Sequence, residues 1–170
     1  MAVLDTEARI NASLDDIWEL YSVADQRRKI TPGFLFELKE IKGPDGDHGP
    51  EVLETGSTIA FKTWIDFDQP LVLRIVERER SDDEAMFREE MVQGSFPKWT
   101  HTHRFRTVGD ETVVHDHVEY ELPDKCWPTG QLIWPLAIRA MFLMRHKSVE
   151  QEFTSNFTLD IDDADIGIDL

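Results

Sequence analysis

The segment Lys98–Pro123, KWTHTHRFRTVGDETVVHDHVEYELP, constrains the fold of this chain more than any other. Trp99, His101, His103 and Phe105 alternate with Thr100, Thr102, Arg104 and Arg106, the period of two expected of a strand with one buried face. Gly109-Asp110 is a two-residue turn signal. The alternation then resumes through Val114, Asp116, Val118, Tyr120 and Leu122. Pairing about this turn sets Phe105 opposite Val114, His103 opposite Asp116, His101 opposite Val118 and Trp99 opposite Tyr120. A slip of one residue would move every apolar group to the wrong face, so the register is well specified. The hairpin thus predicts an ionisable pair, His103 and Asp116, held on an apolar surface where charge is rarely left without a partner.

The elements around it follow a consistent order. Val3–Asn11 reads as a first strand. Ser13 offers a helix N-cap, with Asp15 and Asp16 in the first turn and Ile17, Trp18, Leu20 and Tyr21 as the apolar face. A second short helix over Ala24–Ile30 should stop before Thr31-Pro32, because the residue preceding proline avoids helical geometry. Strands are expected at Phe34–Ile41, Gly56–Phe67, Leu71–Arg80 and Glu84–Gly94, with a turn-rich loop over Gly43–Pro50. The last large element is a helix over Gln131–Phe157, with Pro135 near its first turn. Its stripe is Ile138, Phe142, Val149, Phe153 and Phe157. The apolar run Leu132–Met144 is too short to span a bilayer. The fold class is therefore α+β: a curved antiparallel sheet of six or seven strands wrapped around a long C-terminal helix, with two short helices after the first strand. Residues 1–157 form one domain. The final DIDDADIGIDL gives an acidic tail over residues 158–170, with an edge strand as its alternative.

The charge balance narrows the partners. The chain has 170 residues, 34 of them acidic and 18 basic, for a net charge of −16. Such a surface repels nucleic-acid phosphate and anionic lipid, so neither is an expected partner. Adaptation to very high salt explains the excess of carboxylates, because salt screens their mutual repulsion. An ordinary acidic protein is the plainer reading. A lone Cys126 excludes an internal disulfide and suits a reducing cytoplasm. MAVLDTEARI lacks the basic and apolar regions of a secretion signal.

Several motifs together resemble the START-domain and pollen-allergen-like superfamily (SRPBCC), in its polyketide cyclase/dehydrase and lipid transport branch. They are Ile10-Asn11-Ala12-Ser13 with Asp16-Ile17-Trp18, Thr31-Pro32, Gly94 with Phe96, and Trp99-x-His101-x-His103-x-Phe105. Thr112, Asp116, Val118, Tyr120 and Leu122-Pro123 follow, then Phe142 with Arg145-His146. Ser95, where relatives often carry proline, and the acidic tail depart from the pattern. The resemblance implies a helix-grip fold enclosing a cavity for apolar small molecules, and it leaves the activity open.

Two functions follow. The first is binding of a lipid-like or polycyclic molecule, lined by Trp99, Phe105, Val118, Tyr120 and Phe142, with His101, Glu89 and Arg145 as polar contacts. The alternative is a cyclase, dehydratase or isomerase in which His103 and Asp116 move protons; the same pair would otherwise be a structural hydrogen bond. On the strand before the hairpin, Phe87 and Met91 place Glu89 inward, whereas Val92 would place Glu90 there. Arg145 either enters the cavity to hold an anionic group or carries its charge out to water. The two H-x-H sequences do not make one metal site, since His115 and His117 fall on the opposite face from His101 and His103. A site of His101, His103 and a carboxylate stays open, but no metal or other cofactor is assigned. The expected partners are an apolar ligand and, at most, a second copy of the chain.

Overall fold

The computed structural model describes residues 1–31, 36–63, 70–123 and 128–154, with the side chains of residues 63 and 128–132 left aside. Its chain order is β1 (Ala2–Ile10), α1 (Leu14–Ser22), α2 (Ala24–Lys29), β2 (Phe36–Lys42), β3 (Thr58–Thr63), β4 (Leu71–Arg80), β5 (Glu84–Gln93), β6 (Lys98–Val108), β7 (Glu111–Glu121) and α3 (Pro128–Thr154). The seven strands form one antiparallel sheet in the order β1-β7-β6-β5-β4-β3-β2. Strands adjacent in sequence are adjacent in the sheet, except that β1 and β2 occupy opposite edges. The two short helices carry the chain between those edges.

The hairpin has the register that alternation dictates: Trp99 faces Tyr120, His101 faces Val118, His103 faces Asp116 and Phe105 faces Val114. Gly109 turns it with φ of 64°, a left-handed conformation in which a Cβ costs about 1–2 kcal/mol. Ser13 caps α1, its hydroxyl accepting from the Asp16 amide at 3.1 Å. That leaves Ile17, Leu20 and Tyr21 buried against the sheet.

The helix α3 begins at Pro128, three residues before the expected start. Pro128 suits a first helical position because its missing N–H would have no intrahelical partner there. Pro135 therefore lies inside the helix rather than near its first turn. It supplies no amide for the carbonyl one turn back, yet the helix continues to Thr154. No helix of the described residues is long and apolar enough to cross a membrane. Cys126, the strand ends expected at residues 34–35 and 64–67, Phe157 and the acidic tail lie outside the described residues.

Inward side chains of the sheet form two apolar clusters. One joins Trp18, Tyr21, Phe87, Phe105, Val114 and Val149, and α1 covers it. The other joins Phe61, Leu73, Trp99, Val118, Tyr120, Ile138 and Phe142 beneath α3. Between them runs a row of polar residues, one step along each strand: Glu89 between Phe87 and Met91, His103 and His101 between Phe105 and Trp99, and Asp116 between Val114 and Val118. That row is the feature of the core that packing alone does not explain.

Candidate functional site

Three strands and two helices supply the polar row. Glu89 pairs across the sheet with His101, and His103 with Asp116. Glu89, His103 and Asp116 are 0 % exposed and His101 is 2 % exposed, so all four are shut off from bulk solvent. Glu89 is the inward glutamate, while Val92 is exposed at the strand end. The carboxylate of Asp116 is the hub. His101 Nε2 donates to its Oδ1 at 2.9 Å, and His146 Nε2, from α3, donates to its Oδ2 at 2.6 Å. His103 Nδ1 lies 2.6 Å from Oδ1. On the other side of the row, Arg27 of α2 pairs with Glu89 Oε1 and also donates to the Tyr21 carbonyl at 3.3 Å.

Burial and ion pairing compete in this row, and the outcome differs between residues. Burial alone would push the Glu89 carboxyl up, but the Arg27 guanidinium together with the His103 and His101 imidazoles outweighs burial and holds it well below its ordinary range. The same contest at Asp116 is won by the surrounding imidazoles of His103, His101 and His146, which hold it well below its ordinary range. For His101, burial and the neighbouring His103 prevail over Asp116 and Glu89, lowering it to about 3. His101 is thus a neutral ring at neutral pH. Burial drives the Tyr21 phenol above its ordinary range.

A cavity of about 120 Å³ opens between the sheet and α3 at one end of this row. Phe36, Phe61, Leu71, Leu73, Phe96 and Trp99 form its sheet side, and Trp134, Ile138, Met141 and Phe142 its helix side. Arg27, His101 and Arg145 supply its charged or ionisable lining. Arg145 therefore takes the cavity position, with its guanidinium carbon 5.1 Å from the centroid of the Tyr21 ring. Its Nε is buried without a hydrogen-bond partner. The His101 ring meets Phe142 edge-on at 4.8 Å, which joins the polar row to the apolar wall.

The sequence-derived candidates divide into three groups by position. Trp99, His101, Phe142 and Arg145 line the cavity. Glu89, His103 and Asp116 lie in the polar row and are not part of its described lining. Phe105 packs into the cluster under α1, 4.8 Å from the Tyr21 ring, while Val118 and Tyr120 are buried in the other cluster. His115 and His117 point to the outer face of the sheet, where Asp5 of β1 accepts from them at 3.1 and 2.8 Å. Two participants were missing from the candidates. His146 follows Phe142 by four residues and precedes Val149 by three, which places it on the buried stripe of α3. Arg27 shares a helix face with Ala24, three residues earlier, and both are buried.

No protein-family model matches the chain, and no curated protein sequence does. Solved structures do match in fold. Norcoclaurine synthase from Thalictrum flavum, in complex with dopamine and hydroxybenzaldehyde, superposes with a TM-score of 0.61 at 16% identity, covering 92% of this chain and 88% of that one. Ginseng major latex-like protein 151 from Panax ginseng gives 0.58 at 19% identity, over 89% of this chain and 96% of that one. A protein of Thermus thermophilus gives 0.61 at 18% identity, over 92% of this chain and 100% of that one. The curved seven-stranded sheet closed by α3 is the helix-grip fold of the START-domain and pollen-allergen-like proteins.

Proposed function

We propose that this protein binds an apolar small molecule in the cavity between its sheet and α3. One observation carries the reading: a cavity of about 120 Å³ whose walls are mostly aromatic and aliphatic, with a few polar groups at Arg27, Thr31, Ser95, His101 and Arg145. An apolar void of roughly 150 Å³ in another protein stays dry and takes up benzene, so this space is matched to a molecule about one ring wide. The dopamine and hydroxybenzaldehyde of the norcoclaurine synthase complex are of that size. Apolar walls supply affinity, and the few polar groups fix orientation.

The acid/base alternative has one observation in its favour: His101 reaches the cavity wall while bonded to Asp116. With its pKa lowered to about 3, His101 is a weak base, and His103 is sealed from the cavity, so binding is the better reading. With it go a cytoplasmic location, a role in carrying lipid-like molecules, a single domain over residues 1–157 ahead of an acidic tail, and a surface adapted to high salt. A homodimer is compatible with all of these.

Fluorobenzene and 4-fluorophenol, followed by fluorine NMR, test the proposal. Wild-type protein should shift and broaden both signals in a saturable way. Leu73→Trp fills the space beside Phe61 and Ile138 and should abolish the effect. An unshifted signal with the wild type, or equal binding by the filled variant, would remove the cavity as the site.

A further inference from the structure

We propose that Glu89, His101 and His103 form a binding site for a divalent transition-metal ion of the zinc class, with Asp116 orienting the two imidazoles. Each of the three offers a donor atom, all within 4.8 Å of one another, and all three residues are buried. Glu89 Oε2 stands 3.6 Å from His103 Nε2 and 3.8 Å from His101 Nδ1. Both distances exceed a hydrogen bond. Donors 2.0–2.1 Å from a tetrahedral ion lie roughly 3.3–3.4 Å from each other. The two distances from Glu89 therefore need to close by only a few tenths of an ångström.

The hydrogen-bonding pattern points the same way. Glu89 Oε2 and His103 Nε2 are buried with no hydrogen-bond partner, although such atoms are almost always satisfied. His101 donates from Nε2 to Asp116 at 2.9 Å, which leaves its Nδ1 bare and facing Glu89. His103 Nδ1 lies 2.6 Å from the same oxygen without hydrogen-bond geometry, so both nitrogens of that ring are buried without a partner. A carboxylate behind each imidazole is the arrangement that fixes tautomer and direction in histidine metal sites. His146 takes no part as a ligand, because its Nε2 is committed to Asp116.

The donor set suits the ion as well. A divalent ion held by these three ligands takes an anionic fourth, such as hydroxide. Two imidazoles and one carboxylate leave such a position open and favour zinc, cobalt or ferrous ions over calcium or magnesium. His101 and Arg27 both line the cavity, which gives the ion an approach.

The test uses full-length protein without an affinity tag, stripped of metal and titrated with Zn²⁺ or Co²⁺. Calorimetry should give one ion per chain, and Co²⁺ should develop visible bands of a low-coordinate site. Glu89→Gln and His103→Gln should each weaken binding at least about 100-fold, and Asp116→Asn about 10–100-fold, as loss of a carboxylate behind a ligand does. The double variant His115→Ala/His117→Ala, which removes the outer-face pair, should bind as the wild type does. X-ray absorption of the Zn²⁺-loaded wild type needs no variant to fold, and should show two imidazoles and a carboxylate. No binding below millimolar, unchanged binding in folded Glu89→Gln, loss of binding in the outer-face variant, or a shell of oxygen alone would each overturn the proposal.

Discussion

Replacing Asp116 with alanine probes the polar row at its hub. The carboxylate accepts from His101 at 2.9 Å and from His146 at 2.6 Å, and His103 lies 2.6 Å away, all buried from bulk solvent. Hydrogen bonds to a charged group contribute about 1.5–3 kcal/mol each, and the two clear ones are lost together. Removal of the buried carboxylate's own desolvation cost offsets part of this, while the donors left behind have no other acceptor. The balance is a loss of about 3–5 kcal/mol, the usual result of breaking a buried ionic pair. For a domain of this size each kcal/mol lowers the melting temperature by about 2–4 °C, so a fall of roughly 10 °C is expected. Asp116→Asn retains shape and one acceptor oxygen and should fall in between. Urea unfolding monitored by near-ultraviolet circular dichroism, with equal slopes in all variants, gives the free energies directly. A loss below about 1 kcal/mol in Asp116→Ala would refute the claim that the row is held by this carboxylate.

Acid should weaken the fold in a definite window. His101 has a folded pKa lowered to about 3, so the unfolded chain takes up a proton first as pH drops below 6.5. That contribution is intact above pH 6.5 and is lost progressively toward pH 3, amounting to about 2 kcal/mol by pH 5. Urea midpoints in 0.5 M KCl check it, and a flat profile between pH 6.5 and 5 would contradict the burial of a neutral His101. Gly109→Ala, at φ of 64°, should cost about 1–2 kcal/mol without altering probe binding, since a Cβ there meets nothing. Given the net charge of −16, the melting temperature should climb steeply from low to molar KCl; a flat response would remove salt adaptation.

The sheet was legible because its inward residues alternate through a turn with one favourable register. Trp99 to Phe105 and Val114 to Tyr120 define each other's partners, and the burial of Glu89 followed from Phe87 and Met91 on the same face. The long helix was legible from its stripe, but its start was not. Pro128 and Pro135 both suit a first turn, and only the backbone distinguishes them. The site was harder, because it joins residues distant in sequence. Arg27 reaches Glu89 across 62 positions and His146 reaches Asp116 across 30, and no local pattern encodes either distance. The division of the inward face into a filled half under α1 and a hollow half under α3 was equally hidden. Phe105 and Trp99 share one strand face and one period, yet only Trp99 reaches the hollow. What separates them is the position of Trp18 and Tyr21 on another element, which packs against Phe105 and closes that half.

Ligand binding depends on an apolar hollow at one end of the polar row, and a crystal structure under xenon pressure examines it directly. Xenon should occupy the space bounded by Phe61, Leu73, Ile138 and Phe142, with occupancy rising with pressure and vanishing in Leu73→Trp. Side chains of β4 and α3 in direct contact there, with no xenon between them, would contradict it.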